Sequence, residues 1–276
     1  MSLTLPSAYL LVSHGSRDPR PQAATAKLAQ LLAEKVQNFS SEVPSDRCAN
    51  SPVYSGVSAS SACLLTPQIA ASKSPLLVDT ACLELAALPL HEQIQQFGDR
   101  VLAAGCNRMQ VLPLFLLPGV HVMEDIPAEV AIAQTDLGRD VIIAIQPHLG
   151  THAGLKELLA NHMTSVAAEA WILLSHGSRR PGGNQPVQAI AAQLGAVPAY
   201  WSVAPSLESQ LTNLVRSGHQ QIGILPYFLF AGGITDAIAA VVEQLSQQFP
   251  TVNLNLAEPL GASAELANLV LDLTLA

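Results

Sequence analysis

Short apolar runs alternate with longer amphipathic or Ala- and Leu-rich stretches along the chain. The apolar runs predict buried strands at residues 8–13, 75–79, 108–116, 141–145, 171–175, 199–203, 221–229 and 252–255. The longer stretches predict helices at residues 22–36, 90–104, 125–137, 151–168, 185–194, 207–217, 234–248 and 262–273. Near-continuous apolar strands that alternate with helices indicate parallel sheets covered on both faces, so the pattern predicts an α/β fold.

The chain carries the same pair of motifs twice, in the same order. Leu-Leu-Val-Ser-His-Gly-Ser-Arg at 10–17 returns as Ile-Leu-Leu-Ser-His-Gly-Ser-Arg at 172–179. Leu-Pro-Leu-Phe-Leu-Leu-Pro-Gly at 112–119 returns as Leu-Pro-Tyr-Phe-Leu-Phe-Ala-Gly at 225–232. Paired matches of this kind indicate an internal duplication, so we expect two small doubly wound domains, 1–168 and 169–276.

The two copies differ in length in one stretch. Far more chain separates His14 from Pro89 than separates His176 from Pro205. The excess falls around residues 39–74, which are rich in Ser, Ala and Pro and lack periodicity, as an inserted loop does. A loop of this length is either functional, for example a lid over a substrate, or a disordered or decorative insertion.

Composition narrows the classes of function. Only 12% of the residues are charged, and the formal net charge of −8 argues against a nucleic-acid or anionic-membrane surface. Without a basic-then-apolar start or an apolar run of about 18 residues, the chain is expected to be cytoplasmic. None of the cysteines belongs to a Cys-x-x-Cys pair, so free thiols are expected at Cys48, Cys63, Cys82 and Cys106.

Two histidines follow predicted strands of the first half. His14 comes directly after the first strand, and His121 follows the third strand after Pro118-Gly119. Because ligands of open parallel sheets bind beyond the carboxyl ends of the strands, both side chains are expected at one edge. A lone histidine at such a place is often a structural hydrogen-bond partner, but two at equivalent strand ends favour a functional site. Neutral imidazoles bind divalent metals and accept protons.

A carboxylate is expected at the same edge. Glu84 lies just beyond the second predicted strand, unless it is a solvated glutamate at a helix start. Two imidazoles and one carboxylate would hold a metal ion and leave coordination positions open. The second half keeps His176, but Ile234 stands where the counterpart of His121 would be. The sequence therefore predicts one working site and one degenerate site.

Arginines trail both repeated histidine motifs: Arg17, Arg20, Arg179 and Arg180. Guanidinium groups make bidentate contacts with carboxylates, so this set would suit a polycarboxylate ligand. The alternative is that each arginine caps a loop or pairs with Asp18. An apolar wall would support a flat ligand, unless its members pack in the core: Leu116, Leu117, Pro118, Phe228 and Phe230.

Three motifs of the chain together resemble a known family. They are Ser-His-Gly-Ser-Arg at 13–17, Leu-Glu-Leu at 83–85 and Leu-Pro-Leu-Phe-Leu-x-x-Gly-x-His-x-x-x-Asp-Ile-Pro at 112–127. These are similar to the class II tetrapyrrole chelatases, in the sirohydrochlorin chelatase branch of the CbiX/SirB type. The resemblance covers both halves and is far closer in the first. It implies a duplicated long form with two flavodoxin-like domains that face each other across a cleft.

The resemblance also implies a reaction. Such enzymes insert a divalent ion into a metal-free tetrapyrrole without ATP, here Co²⁺ or Fe²⁺ into sirohydrochlorin, for cobalamin or siroheme biosynthesis. The family's two histidines carry over onto His14 and His121 and its acidic residue onto Glu84, as metal ligands and catalytic groups. Ser13 and Gly119 join the four arginines as expected substrate contacts.

The resemblance sets expectations for cofactors and partners too. The metal is a substrate, and no permanently bound cofactor is expected. The partners are sirohydrochlorin and the divalent ion, with no nucleic acid and no membrane. A monomer is expected, because the duplication replaces a dimer of short chains.

Three alternative hypotheses stay open on the sequence. They are a chelatase for nickel or for protoporphyrin, a non-catalytic tetrapyrrole or metal carrier, and phosphoryl transfer through a phosphohistidine. Intact His14 and His121 speak against a carrier, and Ser-His-Gly-Ser-Arg does not match the Arg-His-Gly pattern of histidine phosphatases. The same ligands accept several divalent metals, so the sequence leaves the physiological metal open.

Overall fold

The computed structural model describes residues 8–42 and 76–275, in which strands and helices alternate. The strands are β1 (Ala8–Ser13), β2 (Leu77–Cys82), β3 (Arg108–Pro113), β4 (Ile142–Ile145), β5 (Ala170–Ser175), β6 (Ala196–Tyr200), β7 (Gln221–Pro226) and β8 (Asn253–Leu256). The helices are α1 (Pro19–Glu42), α2 (Leu90–Ala103), α3 (Ile126–Leu137), α4 (Leu155–Thr164), α5 (Gln185–Leu194), α6 (Leu207–Arg216), α7 (Gly233–Gln248) and α8 (Ala264–Leu273). A π-helical turn, His121–Asp125, leads into α3, and a 3-10 turn, Leu149–Thr151, precedes α4.

The strands form two four-stranded sheets with the same topology. Their orders are β2-β1-β3-β4 and β6-β5-β7-β8, and every neighbouring pair is parallel. The predicted α/β class is therefore confirmed, with each half repeating one doubly wound sheet. The boundary between domains at residues 168 and 169 falls between α4 and β5 and stays a prediction.

Both faces of each sheet are covered by helices. In β1, Leu10 and Val12 point to one face and pack with α2 and α3, whereas Tyr9 and Leu11 point to the other and pack with α1 and α4. Because side chains alternate along a strand, apolar residues at every position of β1 bury both faces. The second sheet repeats this arrangement, with α6 and α7 on its outer face and α5 and α8 on its inner face.

The inner faces of the two halves share one apolar core. α1 packs against α8, and α4 packs against α5. Leu32 of α1 and Leu266 of α8 are fully buried in the same cluster. Across this contact, the Gln110 side-chain amide donates to the carbonyl oxygen of Thr274 at 3.4 Å. Each half thus stabilises the other on this side.

Some predicted boundaries are wrong, each for a local reason. The strand predicted at 199–203 runs instead over Ala196–Tyr200 and contains Pro198, which an edge strand tolerates because its N–H side faces away from the sheet. The helix predicted at 151–168 is the shorter α4, preceded by the 3-10 turn. α1 continues to Glu42, so residues 39–42 of the predicted insertion are helical. Its remainder, 43–74, lies outside the described residues.

Two further expectations can be compared with the described part of the chain. Cys82 and Cys106 are free thiols, as predicted. No helix within residues 8–42 and 76–275 is long and apolar enough to cross a membrane. Cys48 and Cys63 lie outside the described residues.

Candidate metal centre

The first sheet has a crevice at the carboxyl edge of its two central strands. β1 and β3 are neighbours, but the helices that follow them, α1 and α3, cover opposite faces of the sheet. Such a switch point opens a crevice, because the chain leaves the two strands in opposite directions. His14 directly follows β1, Glu84 comes two residues after β2, and His121 begins the π-helical turn after β3.

Backbone contacts fix the spacing between His14 and Glu84. The Glu84 N–H donates to the carbonyl oxygen of His14 at 2.9 Å, which extends the β1–β2 ladder beyond the strands. Gly15 has a φ of +99°, and a Cβ at this position would lie 1.9 Å from the Glu84 carbonyl oxygen. Only glycine allows this approach, so the residue after His14 sets the geometry of the pair.

The three predicted metal ligands lie together. One ligand atom from each of His14, Glu84 and His121 lies within 4.8 Å of the others, and no other such cluster of three occurs in the part of the chain that is described. The two imidazole rings are perpendicular, with centroids 4.8 Å apart. A metal bound at about 2.1 Å needs donors roughly 3.0–3.5 Å apart. Small movements of the exposed His14 and Glu84 side chains would bring the three donor atoms to this spacing.

A further carboxylate orients His121. The π-helical turn brings the Asp125 Oδ2 atom to 2.7 Å from His121 Nδ1. With Nδ1 bound to this carboxylate, Nε2 is the ring nitrogen left for a metal ion. The carbonyl oxygen of Gly119 accepts hydrogen bonds from the Val122 and Met123 N–H groups and anchors the turn. The sequence motif contains Asp125 in the spacing His-x-x-x-Asp, which is the signal for this contact, but no role was predicted for it.

The predicted substrate contacts differ in burial and in partners. Ser13 is half-buried, with its hydroxyl 3.6 Å from the Cys82 thiol. Arg17, Arg179 and Arg180 are exposed and have no side-chain hydrogen bond or ion pair to any residue within 8–42 and 76–275. Their guanidinium groups are therefore available to a ligand.

Arg20 has a different environment. Its Nε donates to Asp18 Oδ1 at 3.1 Å, and its NH1 group donates to Asp236 Oδ1, across the two halves, at 3.0 Å. Hydrogen bonds from the guanidinium lower the pKa of both carboxyl groups. This contact changes the expectation for Arg20, because a substrate carboxylate would have to displace two carboxylates of the protein. The alternative of a pair with Asp18 is the one that the structure contains.

The predicted apolar wall is divided between two places. A cavity of about 170 Å³ opens beside His14, and the loop after β7 of the second half contributes three side chains to it: Phe228, Leu229 and Phe230. Leu116 and Pro118 line a separate groove, and Leu117 packs against the inner core. The second half thus reaches the candidate site through its β7 loop.

The corresponding edge of the second sheet has lost most of these groups. Ser202 donates its N–H to the carbonyl oxygen of His176 at 2.9 Å, so Ser202 stands in the place of Glu84. Ile234, 41% exposed, stands in the place of His121. Of the three ligands, the second half keeps one histidine.

Two regions of the chain match one family model. The CbiX model matches residues 58–166 and again residues 170–274, together more than half of the chain. The chain belongs to the CbiX family. The double match agrees with the internal duplication, and a CbiX protein with two repeats is the duplicated long form that the motifs predict.

Two curated proteins of Priestia megaterium are similar to this chain. One is a sirohydrochlorin cobaltochelatase, 25% identical over 211 residues, which are 71% of this chain and 67% of that protein. The other is a sirohydrochlorin ferrochelatase, 26% identical over 176 residues, which are 58% of this chain and 66% of that protein. The matched segments thus span about two thirds of each relative's own length.

Solved structures share the fold of this CbiX chain. SirB from Bacillus subtilis with Fe³⁺ superposes with a TM-score of 0.71 at 21% identity, covering 97% of this chain and 94% of that one. The sirohydrochlorin chelatase SirB from Bacillus subtilis subspecies spizizenii, in complex with cobalt, gives a TM-score of 0.64 at 21% identity, covering 97% and 93%. At 21% sequence identity, these superpositions show a shared fold.

Proposed function

We propose that this CbiX protein inserts a divalent metal ion, Co²⁺ or Fe²⁺, into sirohydrochlorin without ATP. The observation that carries the proposal is the cluster of His14, Glu84 and His121 at the switch point of the first sheet. The names of the two Priestia megaterium relatives support sirohydrochlorin as the tetrapyrrole and cobalt or iron as the metal. The metal ion is a substrate of this reaction.

Capture of the ion is the first task of the cluster. Two imidazole nitrogens and one carboxylate oxygen replace part of the water shell of the ion and leave other coordination positions for pyrrole nitrogens. His14 and Glu84 are exposed, so they can follow the ion towards the macrocycle. His121 is held by Asp125 and supplies the fixed ligand.

Proton removal is the second task. Insertion exchanges two pyrrole N–H protons for the ion, so two protons must leave the macrocycle. As the ion moves to the pyrrole nitrogens, the released imidazoles of His14 and His121 have free lone pairs and accept these protons. The Asp125 carboxylate, 2.7 Å from Nδ1, stabilises the imidazolium that forms at His121.

Placement of the tetrapyrrole uses both halves. We place one face of the macrocycle against Phe228 and Phe230, beside His14. Its peripheral carboxylates meet the free guanidinium groups of Arg17, Arg179 and Arg180, and Ser13 and Gly119 border the crevice. Arg20 joins this set only by giving up its protein partners. We further propose that the protein works as a monomer in the cytoplasm.

Turnover of sirohydrochlorin with Co²⁺ or Fe²⁺, followed by absorbance, tests the proposal. The wild-type protein is expected to accelerate metal insertion over the uncatalysed rate, and His14→Ala is expected to abolish the acceleration. Binding of sirohydrochlorin without any acceleration would identify a carrier instead. Turnover of protoporphyrin or of Ni²⁺ in preference to these substrates would point to a different chelatase.

A further inference from the structure

A second recess lies between the two halves, next to the loop that leads to His121. It is a groove of about 370 Å³. One side is formed by Leu116 and Pro118 of that loop together with the 3-10 turn and the start of α4, and the other side by α5. Tyr227 also lines the groove and donates its hydroxyl to the Leu116 carbonyl oxygen at 3.4 Å.

His148 is a buried polar side chain without a protein partner in this groove. It is 8% exposed, lines the groove, and makes no side-chain hydrogen bond to any residue of the described ranges. Burial lowers the pKa of its imidazole, so the ring is neutral and offers one N–H donor and one acceptor nitrogen. The described atoms that are fully shielded and lack a partner do not include the ring nitrogens of His148, so the imidazole presents its polar edge to the open groove, where a ligand can reach it.

The charges around His148 favour an anion. Lys156 lines the groove, and no aspartate or glutamate is among the residues that line it. α4 begins at Leu155, so its N-terminal end, with its partial positive charge, lies at the same place. His152 is already engaged, because its Nδ1 accepts the Gly154 N–H at 3.0 Å and its Nε2 lies 3.7 Å from Asp272.

We propose that this groove binds an organic carboxylate. The carboxylate group lies between His148, Lys156 and the start of α4. The carbon skeleton lies against the apolar wall formed by Leu116, Pro118 and Ile190. The carboxylate belongs either to a free small molecule or to the periphery of a tetrapyrrole held at the metal centre, since both present the same chemistry.

A ligand in the groove would contact the segment that carries His121. The Gly150 N–H donates to the Phe115 carbonyl oxygen at 2.9 Å, and a Cβ at Gly150 would lie 2.0 Å from the Leu116 carbonyl oxygen. The turn that holds His148 is therefore packed directly on this loop. In the repeat, Pro259-Leu260-Gly261 replaces His148-Leu149-Gly150, so the second half lacks the buried imidazole.

Titration of the wild-type protein with benzoate tests the groove directly. Benzoate carries a carboxylate on an apolar body, and its binding is read from the imidazole nitrogen resonances of His148. We expect saturable binding that weakens about tenfold in Lys156→Gln and in His148→Gln, because each change removes a charge-assisted or buried hydrogen bond. Lys27→Gln makes the same charge change at an exposed position of α1 and is expected to leave the affinity unchanged.

Several results would overturn the proposal. They are an absence of saturable shifts at His148, an affinity that Lys156→Gln leaves intact, or an equal loss in Lys27→Gln. Lys156 is exposed, so its variant reports on the groove even if His148→Gln unfolds. Addition of metal-free sirohydrochlorin then distinguishes the two sources. Displacement of benzoate assigns the groove to a tetrapyrrole carboxylate, and simultaneous binding assigns it to a free carboxylate, independently of any turnover.

Discussion

The carboxyl edges of the two sheets have the same backbone and different chemistry. His14 and His176 follow the first strand of each half, and each precedes a glycine with positive φ, +99° at Gly15 and +84° at Gly177. At both edges, the carbonyl oxygen of the histidine accepts an N–H from the neighbouring segment at 2.9 Å. The duplicated scaffold has therefore kept its turn, its ladder extension and one imidazole.

The difference in metal-binding chemistry between the edges lies in three side chains. In the second half, Ser202 stands in place of Glu84, Ile234 in place of His121, and Ile238 in place of Asp125. The isoleucine at 238 is fully buried in the outer core, so this position has become a packing residue. The second half nevertheless contributes α8 to the shared core and Phe228 and Phe230 to the cavity beside His14. A repeat can thus lose its metal ligands and keep its role in packing and substrate support.

The largest effect is expected when the compared histidines are removed one at a time. His121→Ala should lower chelation by about 10²–10⁴-fold, because it removes a metal ligand and a proton acceptor together. His176→Ala should leave activity within about twofold of wild type, because His176 has no further metal ligands beside it and contributes only weakly. The comparison uses initial rates with Co²⁺ and sirohydrochlorin. Equal losses of activity in both variants would contradict the claim that only the first half carries a working site.

Substitution of the two equivalent glycines, Gly15 and Gly177, separates the effect of backbone strain on stability from the effect on metal insertion. Gly15→Ala and Gly177→Ala should each destabilise the fold by about 1–3 kcal/mol, since both positions have positive φ. Only Gly15→Ala should also lower chelation, by about 10²-fold, because its Cβ would push Glu84 away from His14. Thermal unfolding and initial rates measure the two effects. Similar rates for the two variants at a temperature where both are folded would contradict the account.

Asp125 tests whether His121 needs an orienting partner. Asp125→Ala should weaken Co²⁺ binding by about 10–100-fold, because Nδ1 of His121 loses its carboxylate. Asp125→Asn keeps a hydrogen-bond acceptor and should recover part of the affinity. The visible spectrum of bound Co²⁺ reports the change in its ligand field. An unchanged spectrum in Asp125→Ala would mean that the carboxylate has only a structural role.

The arginines should give the smallest effects. Arg17→Ala and Arg179→Ala remove exposed, unpaired guanidinium groups, so each should raise the KM for sirohydrochlorin by at most about fivefold, with little change in metal affinity. Arg20→Ala is the matched comparison, because the Arg20 guanidinium is already bound to Asp18 and Asp236. This variant should leave the KM for sirohydrochlorin unchanged. A larger rise in KM for Arg20→Ala than for Arg17→Ala would return Arg20 to the set of substrate contacts.

The sequence could predict the features that depend on local patterns of residues. Near-continuous apolar runs and the repeated motifs predicted the parallel sheets, and strand ends predicted where His14, Glu84 and His121 would lie. Contacts between distant segments left no such pattern. The pair of Arg20 with Asp236, the shared core under α1 and α8, and the position of the β7 loop beside His14 all depend on how the halves dock. The π-helical turn was missed because one extra residue per turn does not alter apolar periodicity over so short a segment.

Anomalous diffraction from crystals grown with Co²⁺ would test the central claim most directly. The account predicts a cobalt peak about 2.0–2.2 Å from a nitrogen of His14, from Nε2 of His121 and from a carboxylate oxygen of Glu84. No cobalt is expected at His176, where Ser202 and Ile234 provide no further ligands. A peak of equal height at His176, or a cobalt bound away from the switch point of the first sheet, would contradict the assignment of one working site and one degenerate site.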